Sequence, residues 1–587
     1  MKEPTQTAGW RRFVPISVWL ASYDKGFLVP DLIAALTVWA LMVPEAMAYA
    51  SIAGMPPETG LYAALVAPIA YAVFGTSRQL NVGPSSTVAV LSFSIVGGLA
   101  AGSSDPSTFY ALTAGLAILT GVFFIVAGLA KLGFLADFMS KPVLDGFIVG
   151  LAMTIAAGQL HKLFGIEETG DNFFGDLLAI VQNLDETLLV AVVIGFGSLA
   201  LLFLLEKVMP RIPAALVVTF VAIGVTSIFD LTAEGLHVIG EIPAGLPSLE
   251  WPDITLDQWV GLIPGAIAIV VVGFAESVAA ARTYARKHDY DIDANQEMIA
   301  VGAANTATGL VGAFVVDGSL SKTAAADSAG QKTQMASVIL FAAVFITILF
   351  FTWIFELLPE ATLGAIVIHA VWHLIDFHKI GRYWSVRGDD FWAGFAAVAG
   401  VLVFGILLGL IIAIAVSFTL LLARAARPRW AILGRTHDEA SDDVSFQDVS
   451  THPEAETFPG LVIIRFEADL FFANASVFAD HVREAIEASE VPVQVVLIDA
   501  ESINDVDSTA LNVLRELRAE LDLEGIEIWI ARLRSHLAEF VVRVNGAEPE
   551  HTYPSVRSAL VAFRERSEAS SPADDDDEPT AAEDDDG

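Results

Sequence analysis

A short polar stretch, residues 314–333 (FVVDGSLSKTAAADSAGQKT), separates two long apolar runs and contains the residue types of an ion site. Lys322 stands there among Ser319, Ser321 and Thr323. An ammonium group and several hydroxyl groups can together bind a small anion. In lipid, backbone that is not helical persists only where protein or a water-filled cavity satisfies its polar groups. The stretch therefore predicts a binding site near the middle of a membrane.

A second stretch, VGPSST at residues 82–87, has the composition of a turn that opens a helix. Gly83 gives backbone freedom, Pro84 suits a helix start, and the three hydroxyl residues that follow can cap it. The amino terminus of a helix carries about half a positive charge and unpaired N–H groups. This stretch is therefore a second candidate for contact with an anion.

Two carboxyl groups stand inside apolar runs, Glu45 in MVPEAMAYA and Glu276 in GFAESVAAAR. An ionisable group at the centre of a span costs at least about 2.5 kcal/mol, so such groups usually serve a function. We interpret Glu45 as facing the pathway, although a proline-kinked helix near an interface would also explain it. Glu276 is predicted to be a proton or cation site, and the alternative is a structural partner for Arg282 or another helix.

The elements that must position these residues are membrane spans. The chain of 587 residues is 55% hydrophobic and only 17% charged, with a mean hydropathy of +0.61, which indicates a polytopic membrane protein. Basic and aromatic residues precede the first span, no signal peptide is evident, and the last span ends in ARAARPRW. We therefore expect a multi-pass protein of the plasma membrane with both termini in the cytoplasm.

The apolar runs stop near residue 424, and an alternating polar and apolar pattern follows. Its order of strand, helix, strand and helix predicts an α/β domain of about a hundred residues. We expect five parts: a cytoplasmic amino-terminal segment (1–27), a transmembrane transport domain (28–427), a linker (428–451), the α/β domain (452–566) and an acidic disordered tail (567–587).

Composition excludes several functions. The chain has no cysteine, so disulfides, thiolate metal sites and cysteine nucleophiles are ruled out. Its net charge of −37 would repel nucleic acid, and it suggests adaptation to high salt as a hypothesis. Among His369, His373 and His378 only the first two share a helical face, and no acid nearby in the sequence completes a metal site. We predict no metal, no cofactor and no enzymatic activity.

Several motifs resemble known families over nearly the whole chain. PPETGLY, GTSRQL and VGPSS, followed far downstream by IDANQEMIAVG and SLSKT, closely resemble the SulP family of anion transporters, the sulfate permeases and their solute-carrier relatives. LFFANA and DVDSTAL in the tail closely resemble the STAS domain, which SulP proteins commonly carry at this end. Together the two resemblances cover all but the termini.

The SulP resemblance implies fourteen transmembrane segments in two inverted repeats of seven, a core bundle that moves against a gate bundle, and a homodimer. Carried over by position, the anion site would use six residues: Glu45, Tyr49, Thr87, Leu320, Ser321 and Lys322. Glu276 would bind the coupling proton or sodium ion. Many relatives have Gln at the position of Glu45, so this acid implies either a second proton-coupling step or a pairing with Lys322.

The STAS resemblance places Ser508 where anti-sigma-factor antagonists have a phosphorylated serine. A phosphate there would meet the N–H groups of a helix start. We favour helix capping by Asp507 or Ser508 instead, because Thr509 and Ala510 depart from the antagonists' usual motif.

The leading function is secondary active transport of a small oxyanion, most plausibly sulfate, by symport with a proton or sodium ion and by alternating access. Bicarbonate is the runner-up, and a dicarboxylate is also possible. A passive anion channel, or a membrane anchor for a STAS signalling module, are alternatives of another class.

Overall fold

The computed structural model describes residues 13–100, 105–133, 140–166, 173–209, 213–438, 443–545 and 551–570. The chain divides into two compact units, Met1–Phe418 and Thr419–Gly587, which we call the transport unit and the STAS unit. The predicted acidic tail lies outside the described residues from 571 onward.

The transport unit is helical, and the last helix that begins in it continues past Phe418. Its helices are α1 (Ile16–Trp19), α2 (Leu28–Ile52), α3 (Pro57–Phe74), α4 (Ser86–Ala100), α5 (Pro106–Leu129), α6 (Lys141–Phe164), α7 (Phe173–Gln182), α8 (Leu189–Val208), α9 (Ala214–Phe229), α10 (Leu256–Lys287), α11 (Ala294–Leu310), α12 (Leu320–Ser328), α13 (Met335–Phe350), α14 (Glu360–Trp372), α15 (Phe377–Val386), α16 (Gly388–Phe404) and α17 (Ile406–Ala426). Short 3-10 helices cover Lys25–Phe27, Leu184–Glu186 and Thr352–Phe355.

Many of these helices suit a lipid environment. Among the described residues, eight helical stretches are long and apolar enough to cross a membrane, and α4, α7, α9 and α13 are shorter apolar helices. Large apolar side chains point outward, for example Leu189 with 73% and Ile228 with 78% of its surface exposed. Such exposure on many helices would be unfavourable in water, and lipid would cover it.

Glycine brings several helices into close contact. A Cβ atom on Gly121 of α5 would lie 2.6 Å from the carbonyl oxygen of Gly302 on α11. A Cβ atom on Gly60 of α3 would lie 2.0 Å from the carbonyl oxygen of Ala46 on α2. Helices in membranes gain stability from such close backbone approach, because lipid offers no hydrophobic drive to bring them together.

Two three-residue strands stand just before two of the helices. Strand β1 (Asn81–Gly83) leads into α4, and β2 (Asp317–Ser319) leads into α12. They form an antiparallel pair, with Val82 opposite Gly318. The pairing satisfies backbone groups that would otherwise be free in the interior of the unit.

The STAS unit contains a six-stranded sheet with helices. Its strands are β3 (Trp430–Asp438), β4 (Asp443–Asp448), β5 (Leu461–Phe466), β6 (Val495–Asp499), β7 (Glu527–Ala531) and β8 (Thr552–Tyr553). Its helices are α18 (Ala475–Glu487), α19 (Ser508–Leu523), α20 (Ser535–Asn545) and α21 (Val556–Ser570), with a 3-10 helix at Ala500–Ser502. The order across the sheet is β4-β3-β5-β6-β7-β8, and β5 to β8 are parallel.

The predicted alternation of strands and helices after residue 452 is present in this unit. The range 428–451, for which composition suggested a linker, contains β3 and β4 and supplies the antiparallel edge of the sheet. Strand β3 begins with the apolar residues Trp430, Ala431 and Ile432, which pair with β5. The pairing of β3 with β5 cannot be recognised in the local sequence, because the paired residues lie more than thirty positions apart.

Candidate functional site

The strand pair brings together the starts of α4 and α12. Gly83 pairs with Asp317, and Asn81 pairs with Ser319, so each helix leaves the pair from an opposite end. Both helices therefore direct their amino termini, with free N–H groups and partial positive charge, toward one small region. The two polar stretches identified in the sequence therefore lie together in space.

Hydroxyl groups build the start of α12. The side chain of Ser319 accepts a hydrogen bond from the backbone N–H of Lys322 at 3.4 Å, as a helix cap does. Thr323 donates to the Ser319 carbonyl at 2.6 Å and accepts from the backbone N–H of Asn81 at 3.0 Å. The helix start is thus fixed to the strand pair by side chains as well as by the backbone.

The ammonium group of Lys322 points inward. It lies 2.9 Å from the Glu45 carboxylate of α2 and donates to the carbonyl oxygen of Pro84 at 3.1 Å. It also lies 5.0 Å from the centre of the Tyr49 ring. Only 2% of the Lys322 side chain is exposed, so it does not extend to the aqueous interface. Of the two roles considered for Glu45, the structure contains the pairing with Lys322.

Three further polar groups adjoin this pair. The hydroxyl of Thr87 donates to Glu276 on α10 at 3.3 Å. Asp317 on β2 is fully buried, and its charged neighbours are Glu276 and Lys322. The Asp317 carboxyl lies beside the Glu276 carboxyl and the Ser85 hydroxyl. Asp317 was not among the site residues predicted from the sequence, although it lies in the stretch 314–333.

The predicted anion-site residues differ in exposure. Tyr49 and Thr87 are buried, whereas Ser321 is exposed and Leu320 has 56% of its surface accessible. Ser85, just before α4, has a buried hydroxyl that lies beside the Asp317 carboxyl. The structure therefore places the six residues around the starts of α4 and α12, with accessible space on one side.

The family motifs GTSRQL and IDANQEM contact each other through a buried carboxylate that the sequence analysis did not identify. Glu297 on α11 accepts hydrogen bonds from the Tyr71 hydroxyl at 2.6 Å and from the backbone N–H groups of Thr76 and Ser77 at 2.7 and 3.1 Å. The Thr76 hydroxyl donates to the same carboxylate at 2.5 Å. Because all these bonds are internal, Glu297 holds the approach to β1 in place rather than facing a ligand.

A second buried carboxylate, Asp31 at the start of α2, binds the end of the polar stretch 314–333. It accepts hydrogen bonds from the backbone N–H groups of Lys332 and Thr333 at 2.7 and 3.0 Å, and from the Thr333 hydroxyl at 2.7 Å. This joins the end of the stretch 314–333 to the helix that carries Glu45. Nothing in the local sequence around Asp31 indicates a partner 300 residues away.

An acid does lie beside two of the three histidines near the end of α14. Glu206 on α8 lies 3.0 Å from the Nε2 atoms of both His369 and His373. Glu206 comes from a different helix, so it is not near these histidines in the sequence. Within the described ranges, however, no group of three or more such side chains is arranged to hold a metal ion.

In the STAS unit, Asp507 rather than Ser508 caps α19. Its carboxylate accepts from the backbone N–H groups of Ala510 at 2.7 Å and Phe472 at 2.8 Å. The bond from Ala510 is the main reason that the pKa of Asp507 is lowered. Ser508 is exposed at the first helical position.

Solved structures with the same fold are known. The murine Solute Carrier 26 family member A9 anion transporter, in the inward-facing state, superposes with a TM-score of 0.88, covers 96% of each chain and is 23% identical. The transmembrane domain of a cyanobacterium bicarbonate transporter covers 67% of this chain and 98% of its own, with a TM-score of 0.59 and 23% identity. The fold is that of a multi-span membrane transporter with a carboxyl-terminal STAS domain.

Sequence comparison gives the family. The sulfate permease family matches residues 28–397, and the STAS domain matches residues 452–559. A probable sulfate transporter of Mycobacterium tuberculosis is 35% identical over 568 residues, which are 96% of this chain and 100% of that protein. Sulfate transporter 3.1 of Arabidopsis thaliana is 29% identical over 564 residues, covering 91% and 84%. The chain belongs to the sulfate permease family, and it is an anion transporter rather than an enzyme.

Proposed function

We propose that this protein is a secondary active transporter that couples movement of a small oxyanion, with sulfate as the leading substrate, to a proton or a sodium ion. The observation that carries the proposal is the Thr87–Glu276 contact, at which the helix start suited to an anion meets a pair of carboxyl groups. The names of the curated relatives support sulfate.

The anion would bind at the starts of α4 and α12. The hydroxyls of Ser85, Thr87 and Ser321, together with backbone N–H groups, provide donors, while Lys322 provides the formal positive charge. Tyr49 and Leu320 would form the apolar and aromatic wall. Because Glu45 already balances Lys322, an entering anion has to compete with this carboxylate for the ammonium group.

The coupling ion would bind at Glu276 and Asp317. Two carboxyl groups that face each other in an interior of low polarity repel when both are ionised, and a proton or sodium ion between them removes that repulsion. The cation would also raise the positive potential around Thr87, so that its binding favours anion binding. Reciprocal linkage of this kind is what secondary transport requires.

Uptake of labelled sulfate and labelled bicarbonate into proteoliposomes tests the proposal. With an imposed proton or sodium gradient, we expect sulfate to accumulate above its equilibrium level, and accumulation of bicarbonate instead would change the substrate. Glu276→Gln should abolish gradient-driven accumulation while leaving sulfate binding intact. Asp257→Asn, an exposed acid on the same helix, is the matched control. No gradient-driven accumulation of either anion by the wild type would refute secondary transport.

A further inference from the structure

Helix α12 has only nine residues, although it carries Ser321 and Lys322. A helix this short has little stability of its own, so contacts with its surroundings must fix its position. Its amino-terminal end is fixed by the pairing of β1 with β2. The question is what fixes its carboxyl-terminal end.

Asp327, in the last turn of α12, makes two contacts with the end of α10. Its carboxylate accepts a hydrogen bond from Lys287 at 2.6 Å and lies 2.5 Å from the Nε2 atom of His288. Only 4% of the Asp327 side chain is exposed, compared with 60% for Lys287. An acid near the carboxyl terminus of a helix is electrostatically unfavourable for that helix, so these partners offset an intrinsic cost.

The same two helices meet near both ends of α12. Near its start, Asp317 faces Glu276 of α10, and near its end, Asp327 binds Lys287 and His288. Glu276 and Lys287 are about 16 Å apart along α10 at the standard helical rise. The helices that carry Glu276 and Lys322 are therefore connected by two sets of contacts, one near each end of α12.

We propose that Asp327 is a positioning residue that holds α12 in the orientation in which Ser321 and Lys322 meet the anion. Asp327 itself does not touch the anion. It acts by fixing the far end of a helix whose first turn forms part of the site. This inference rests on the proposed function and adds to it a residue outside the binding region.

The test compares sulfate transport by Asp327→Asn with the wild type in full-length protein. Asparagine keeps the shape but weakens the bonds to Lys287 and His288, so we expect the KM and the Kd for sulfate to rise about tenfold. The maximal transport rate per protein (kcat) should stay within about twofold of the wild type, because the residues that would contact the anion and the coupling ion are unchanged. Asp327→Glu, which restores the charge, should recover part of the lost affinity.

Asp289→Asn is the matched control, because Asp289 is exposed, lies two residues after Lys287 and loses the same charge. Its KM should equal that of the wild type. If Asp327→Asn does not fold, Lys287→Met and His288→Gln each remove one contact, and at least one of them should raise KM. An unchanged KM in folded variants, or a fall in kcat alone, overturns the inference. A wild type that fails to bind sulfate overturns the proposed function instead.

Discussion

The charge of Lys322 is already balanced in the structure, because Glu45 lies 2.9 Å away and the Pro84 carbonyl accepts a hydrogen bond from it. An anion of two charges that binds here must share or replace these partners. Lys322 should therefore control the affinity for the anion, while Glu45 opposes it. The affinity of the proposed anion site therefore depends on the balance between Lys322 and Glu45.

Replacing Lys322 with Met should raise the Kd for sulfate by about one to two orders of magnitude. A hydrogen bond to a charged group contributes about 1.5–3 kcal/mol, and the unpaired Glu45 would add repulsion. Equilibrium binding of labelled sulfate to purified protein measures the change.

Lys332→Met is the control for that measurement, because Lys332 follows α12 with an exposed side chain and should leave the Kd unchanged. The double variant Lys322→Met with Glu45→Gln should bind sulfate better than Lys322→Met alone. Equal binding by the wild type and Lys322→Met would contradict the role of Lys322.

Glu527 is expected to make a pH-dependent contribution to the stability of the folded STAS unit. Its hydrogen bonds from Arg566, at 2.6 and 2.8 Å, lower the pKa of this carboxyl from 4.5 to about 2. The folded pKa lies below the unfolded one, so the stabilisation is present above about pH 4.5 and is lost as the pH falls toward 2. Glu527→Gln should therefore speed hydrogen exchange in β7 at pH 7.

The difference in exchange between Glu527→Gln and the wild type should shrink as the pH falls below 4.5, when each is compared at the same pH. Glu516→Gln, at an exposed position on α19, should match the wild type throughout. A difference that stays constant with pH would show that the ion pair with Arg566 is not its cause.

Among individual residues, the sequence predicted those that are unusual in their local setting. Glu45, Glu276 and Lys322 are polar groups inside apolar runs, and all three lie at the candidate site. The roles of Asp317 and Glu206 were not predicted, because the residues that contact these acids lie on elements far away in the sequence. Their contacts could be found only once the helices were placed.

Glycine, which has no side chain, allows α2 and α3 to lie close together. Gly60 on α3 lies against the carbonyl of Ala46, the residue after Glu45 on α2, and a Cβ atom there would be 2.0 Å from that oxygen. No rotation of a side chain can relieve a clash with backbone. The contact between α2 and α3 therefore depends on glycine in the PPETGLY motif.

Gly60→Ala should lower the unfolding temperature and weaken sulfate binding, because the clash displaces α2 next to Glu45. Thermal unfolding in detergent and sulfate binding measure the two effects. Gly197→Ala on α8 is the matched control: its Cβ atom would meet no atom within 4 Å, and alanine favours helix. Wild-type stability and binding in Gly60→Ala would contradict the close contact.

The sequence predicted the two helix starts but not how they meet. VGPSST and SLSKT each indicate a broken segment with caps, and these are local features. The pairing of β1 with β2 joins residues more than 230 positions apart, and three-residue strands have no recognisable periodicity. The expected arrangement of fourteen segments in two inverted repeats remains a prediction from the family resemblance.

The whole molecule carries a net charge of −37, so its negatively charged side chains repel one another in the folded state. Screening by salt reduces this repulsion, since the Debye length falls from about 10 Å at 0.1 M to about 3 Å at 1 M. We expect the unfolding temperature of the purified protein to fall as sodium chloride is lowered across this range. An unfolding temperature that does not depend on salt would argue against adaptation to high salt.

At the molecular scale, composition and motif order were enough to predict a membrane unit followed by a STAS domain. Hydropathy is a local property that survives without a structure, and the family motifs occur in the expected order. The anion, the coupling ion and the oligomeric state depend on energies and contacts that no local pattern encodes. These parts of the function remain proposals.

The position of the bound anion tests the central claim most directly. Selenate has the shape and charge of sulfate and scatters anomalously, so crystals grown with it reveal where the anion sits. We predict one selenate per chain between the starts of α4 and α12, within hydrogen-bonding distance of Thr87 or Ser321 and close to Lys322. Selenate bound only elsewhere, or no selenate at a concentration that saturates binding in solution, would show that the anion does not bind at this site.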